Sequence, residues 1–80
     1  MNTSMLKSHE PMALDVRFDA ATMNVRLHDG REIRVPLTWF PKLKRASPAQ
    51  RKRWRFIGKG VGIHWESLDE DLSVSALLGG

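Results

Sequence analysis

Between Leu14 and Leu37 apolar residues return at every second position in three successive runs: Leu14, Val16 and Phe18; Met23, Val25 and Leu27; Ile33, Val35 and Leu37. Polar or charged residues fill the gaps, with Asp15 and Arg17 in the first run, Asn24 and Arg26 in the second, and Glu32 and Arg34 in the third. A period of two describes strands with one dry face and one wet face, not a helix with one buried stripe. A chain built on this stretch starts from a sheet.

Parity sets the register, because residues opposite each other on antiparallel strands share a face. A two-residue turn at Asp29-Gly30 would put Leu27 beside Glu32 and mismatch every rung. A three-residue loop of His28, Asp29 and Gly30 instead opposes Leu27 to Arg31, Val25 to Ile33 and Met23 to Val35, and it needs Gly30 left-handed in a bulge. The same test on the first connection favours a four-residue loop, Asp19 to Thr22, which pairs Phe18 with Met23, Val16 with Val25 and Leu14 with Leu27. Pro36 suits the end of the third strand, since it has no N–H for a ladder.

Beyond the meander the pattern turns helical. Thr38 is the expected N-cap of a short helix from Trp39 to about Ala46, with Pro41 in its first turn and Trp39, Phe40, Leu43 and Ala46 on the inner arc. Ser47-Pro48-Ala49-Gln50 is a capping box that opens a second helix, running to Trp54 or a few residues beyond. In it Ala49 and Trp54 point inward, as do Phe56 and Ile57 if the helix reaches them. Arg53 falls on the same side, and a buried guanidinium requires an ionic partner. The expected partner is the acidic run Asp69 to Asp71, so Arg53→Glu should destabilise far more than the same change at Arg51. Gly58, Gly60 and Gly62 mark a turn before a fourth strand, Val61 to Trp65. Ser73 then caps a last short helix closed by Gly79 and Gly80. The fold class is α+β: a three-stranded antiparallel meander followed by two short helices, a fourth strand and a short C-terminal helix. Residues 1–12 read as a flexible tail and 13–78 as a single domain. Val25, Ile33, Leu43 and Trp54 are expected to meet in its interior.

Eighty residues support one small core, since a chain near this size buries only about 60% of its unfolded surface. The absence of cysteine excludes disulfides and thiolate chemistry. No uncharged stretch, Val35 to Pro41 included, is long enough to span a bilayer, and Met1 to Met12 lacks the apolar centre of a secretory signal. The expectation is a cytoplasmic protein. Its charge of +4 is unevenly placed. No Asp or Glu lies between Ile33 and Trp65, a span holding Arg34, Lys42, Lys44, Arg45, Arg51, Lys52, Arg53, Arg55 and Lys59, and then Glu66, Asp69, Glu70 and Asp71 cluster.

Two segments carry a family likeness. Gly60 to Leu78, Gly-Val-Gly-Ile-His-Trp-Glu-Ser-Leu-Asp-Glu-Asp-Leu-Ser-Val-Ser-Ala-Leu-Leu, resembles the closing signature of the bacterial family known as domain of unknown function 2442. Leu27 to Leu43, Leu-His-Asp-Gly-Arg-Glu-Ile-Arg-Val-Pro-Leu-Thr-Trp-Phe-Pro-Lys-Leu, is similar to that family's middle motif. Glu66 and Ser67 stand where many members have Pro-Glu. The resemblance covers about Ala13 to Leu78 and implies a small α+β fold with no assigned catalytic residues. It also implies an antitoxin-like character, because members often accompany a second small domain in suspected toxin–antitoxin pairs.

The residues themselves argue against catalysis. His9, His28 and His64 have no metal-ligand spacing, and no cofactor or metal is expected. The three glycines fit neither nucleotide fingerprint. Ser73 and Ser75 lack a base, and alternation sends His64 and Trp65 to opposite faces. The functional lead is the basic middle, with Lys42, Lys44, Arg45, Arg51, Lys52 and Arg55 as the candidate binding residues. Two readings stay open: a non-enzymatic accessory that docks on a protein partner by its sheet edge or basic face, and a DNA-binding regulator that uses the basic 48–56 helix.

Overall fold

The computed structural model describes residues 10–79. Strands β1 (Ala13–Phe18), β2 (Thr22–Leu27) and β3 (Glu32–Pro36) form the expected antiparallel meander in the order β1-β2-β3. Val25 opposes Ile33, Met23 opposes Val35, Val16 opposes Val25 and Phe18 opposes Met23, as parity requires. Leu27 N–H donates to Arg31 O at 2.8 Å across the three-residue loop, where Gly30 has a φ of +96°. One rung departs from expectation. A bulge between Ala13 and Asp15 sets Ala13, not Leu14, against Leu27. Ala13 is buried and Leu14 is 58% exposed, because one extra residue in a strand reverses the faces beyond it.

The first helix is shorter than expected and rotated. A 3-10 turn covers Leu37–Trp39, and α1 (Pro41–Arg45) begins only afterwards, with Phe40 rather than Thr38 as its N-cap. The cause is Pro41. A residue before proline is forced out of the helical region, and Phe40 sits at φ −128°, ψ 87°. The break turns Leu37 into the core and leaves Trp39 63% exposed, while Leu43 and Ala46 are buried as expected.

The capping box is present. Ser47 Oγ accepts from Gln50 N at 3.1 Å and Gln50 Oε1 accepts from Ser47 N at 2.9 Å. Yet α2 (Pro48–Arg51) makes a single turn and does not extend to Trp54. Instead β4 (Trp54–Ile57), β5 (Gly62–Trp65) and β6 (Glu70–Ser73) build a second antiparallel meander, ordered β4-β5-β6. Its rungs are Trp54, Trp65 and Glu70, then Phe56, Ile63 and Leu72 on one face, and Arg55, His64 and Asp71 on the other. The strand β4 replaces an expected helical segment, and β6 falls on the acidic run, to which the expected architecture assigns no element. Short as they are, both alternate, and their apolar residues Trp54, Phe56 and Leu72 pack on the buried Ile63 and Trp65. Ser73 Oγ accepts from Ala76 N at the start of α3 (Val74–Leu77), the expected closing helix.

Both sheets share one core. Met23, Val25, Leu27, Val35, Leu37 and Leu43 form a single buried cluster with Ile63, Trp65 and Val74. Of the four residues expected at its centre, Val25 and Leu43 are fully buried, while Ile33 and Trp54 lie partly buried against it. The sheets meet closely at Gly60, where an added Cβ would lie 2.5 Å from Ala13 O. Only glycine permits that approach, and its φ of +106° is also one that other residues avoid. Of the expected tail, residues 1–9 lie outside the described residues, and Met12 is tied in by its carbonyl, which accepts from His28 N at 2.9 Å.

Candidate functional site: a groove along the open edge of β1

Among the described residues, strand β1 has a neighbour on one side only. Near Ala13 its other side is covered by the turn at Gly60. Further along, Asp15 to Ala20 border a groove of about 650 Å³ whose opposite wall is Pro48, Arg51, Lys52 and Trp54. The strand presents backbone to this groove. Val25 and Ile33 are opposed within the sheet, and the Asp19 N–H donates to Thr22 O at 3.0 Å, which fixes the alternation along β1. Val16 and Phe18 are then the non-bonded members of their pairs with β2, so their N–H and C=O groups point to the open side.

Side chains finish the groove. Phe18 is anchored edge-on to Trp65, with centroids 6.4 Å apart, and Trp54 stacks at a tilt on Phe56 at 4.8 Å. Arg51 braces the wall, its Nε donating to Leu43 O at 2.8 Å and its Nη2 to Lys44 O at 2.9 Å. The Arg51 carbonyl in turn accepts from Trp65 Nε1 at 2.9 Å. Asp15 divides its carboxylate between Val16 N–H at 2.9 Å and Arg17 Nε at 2.9 Å. The Arg17 guanidinium first, with the Val16 amide assisting, holds that carboxyl below its ordinary pKa. Asp19 Oδ1 accepts from Thr22 Oγ1, Thr22 N and Ala21 N, and the Thr22 hydroxyl foremost depresses its pKa to about 2.

The six basic candidates do not form one surface. Arg51 and Lys52 line the groove. Lys42 and Arg45 border a shallow depression with Gln50, Ser67 and Leu68, where Lys42 Nζ donates to Asp69 O at 2.9 Å and lies 3.9 Å from Glu70. Lys44 is exposed, and its carbonyl receives Arg51. Arg55 stands on the outer face of the second sheet, 3.4 Å from Glu66. Lys42, not Arg53, therefore meets the acidic run. Arg53 is exposed because the chain has already left the helix that would have turned it inward. The same early end removes the 48–56 helix on which a DNA-reading surface would rest. Asp15, Arg17, Phe18 and Trp54 are groove residues that sequence reasoning had assigned only to alternation or core.

A second cluster lies on the outer rung of β4-β5-β6. His64 contacts Asp71 through Nδ1 and Glu66 through Nε2, the latter at 3.3 Å. His64 and Trp65 do face opposite ways, as alternation demands. Both ring nitrogens are held by carboxylates, and Ser73 Oγ is 3.0 Å from Ser75 Oγ. Among the described residues no group of three His, Asp or Glu side chains is arranged to hold a metal.

Two three-stranded meanders sharing one core, with a groove along one edge, define a small α+β domain. Residues 13–80 match the family model described as a protein of unknown function, DUF2442. The chain belongs to this family. Its fold is similar to the crystal structure of a protein of unknown function from Rhodospirillum rubrum, at 36% identity and a TM-score of 0.77, covering 90% of this chain and 89% of that one. It also shares the fold of an uncharacterized protein from Chromobacterium violaceum solved by NMR, at 23% identity and a TM-score of 0.76, covering 95% and 72%. No curated protein matches the chain.

Proposed function

We propose that this protein is a cytoplasmic, non-enzymatic docking module that binds a protein partner through the β1 groove. One observation carries the reading: a strand edge unpaired among the described residues, bordered by Phe18 and Trp54 and by the cations Arg51 and Lys52. Backbone edges supply affinity for another chain, and aromatic and basic neighbours supply its selectivity. The engaged nitrogens of His64 support a binding role over a catalytic one. The one-turn length of α2 speaks against a recognition helix. An antitoxin-like role remains what the family likeness suggests, and the same test addresses it. Co-expression with each protein encoded beside this gene should yield a stable complex with one of them, and Lys52→Glu should weaken it. Failure with every neighbour, or capture indifferent to Lys52, would reject the proposal.

A further inference from the structure

The arrangement of Asp15 suggests what kind of segment the groove receives. Its carboxylate spans an edge amide, Val16 N–H, and a guanidinium, Arg17. The carboxylate thus sits where an added strand's backbone carbonyl would meet Val16 N–H, and it closes one of the outward donors of β1. Natural sheets blunt exposed edges with charges of this kind. The remaining outward groups, Val16 C=O with the N–H and C=O of Phe18, are left to the groove.

We propose that the occupant is an extended acidic segment of a partner protein, added as a strand against Asp15–Phe18, and that Asp15 is a removable guard of that edge. The inference rests on the docking reading above. Charge selects this occupant. The groove's two acids are already committed, Asp15 to Arg17 and Val16, and Asp19 to Thr22 and Ala21. Across from them Lys52 has no carboxylate partner among the described residues. A second copy of this chain would bring Arg17 and Lys52 against their own kind. The chain's first nine residues carry Lys7 and His9 and no carboxylate. An acidic strand satisfies the open amides and Lys52 together, and it can displace Asp15 by offering Arg17 a carboxylate in exchange.

The test uses the full chain and three synthetic heptapeptides: glutamate alternating with valine and phenylalanine, the same peptide with lysine for glutamate, and the acidic peptide N-methylated at every backbone amide. Amide and indole NMR shifts report binding. The acidic peptide should move the amides of Val16 and Phe18 and the indole of Trp54, and neither control should. Asp15→Ala should tighten the acidic peptide about tenfold, and Lys52→Glu should weaken it about tenfold, each the scale of one charge-assisted contact. Asp15→Asn, which keeps a side-chain acceptor for Val16 N–H, should fall between wild type and Asp15→Ala. Equal binding of the lysine peptide, shifts away from β1, tolerance of N-methylation or weaker binding by Asp15→Ala would each overturn the proposal. So would dimers of Asp15→Ala in sedimentation, which would make a second copy the occupant. If no peptide binds while a neighbour-encoded partner is still captured in a Lys52-dependent way, strand addition fails and the docking reading survives.

Discussion

The two meanders have the same topology and are held together differently. In the first, strands of five or six residues are joined by loops that aspartates organise, Asp19 around Thr22 and Asp29 around Arg31. In the second, four-residue strands are joined by 3-10 turns, one containing the left-handed Lys59 at φ 59° and the other ended by the left-handed Asp69 at φ 51°. The first sheet is thus a locally specified object. The second depends on what it packs against: its buried residues Ile63 and Trp65 lie in a cluster drawn mostly from the first half. One sheet can be written in turn chemistry and alternation, whereas the other needs a finished surface to form upon.

The hardest blow to this pairing should come at their seam. Gly60→Ala places a Cβ against Ala13 backbone at a positive φ, and it should cost about 3 kcal/mol or more. Denaturant unfolding followed by Trp fluorescence and by backbone circular dichroism would measure it. A loss below about 1 kcal/mol would mean that the sheets are not pinned there. The next effect separates two neighbouring arginines. Arg51→Ala removes two bonds from a charged donor to α1 carbonyls and should cost about 1–3 kcal/mol, while Arg53→Glu should stay within about 0.5 kcal/mol. This reverses the ranking expected from helical periodicity; equal losses would refute the reversal, and a larger loss at Arg53 would restore that ranking. The smallest effect belongs to the first sheet's loops. Asp19 titrates near 2 when folded, below its unfolded value of about 3.9. Its contribution is therefore complete above about pH 4 and is lost as the pH falls towards 2. Asp29 is shifted the same way by the Arg31 amide. Thermal melts from pH 7 to pH 2 should show a shallower acid decline for Asp19→Ala than for wild type, and superimposable declines would exclude the loop as its source.

How far the chain could be read follows from the same contrast. Parity placed the β1-β2-β3 register because wrong registers put Leu27 beside Glu32, a conflict visible without coordinates. Leu14 escaped, since a bulge leaves alternation intact on either side of it. Phe40 could have been read from the proline after it, which forbids the helical conformation that the wheel assumed. Trp54-Arg55-Phe56 alternates, but the genuine capping box before it favours a helical continuation. Only packing on Trp65 decides for a strand. The groove was legible in its parts, as cations and aromatics, but not as a site. Whether an edge is covered depends on where Gly60 and Pro48 arrive, which is a long-range matter.

The brace at Arg51 has a consequence for recognition. One residue clamps the end of α1 by its side chain and the indole of Trp65 by its carbonyl, so the wall beside it behaves as an anvil rather than a jaw. If the groove takes a partner strand as proposed, adjustment would come from the opposite bank, where Asp15 would swing aside, and a visiting chain would find its footing already set on one flank and negotiable on the other.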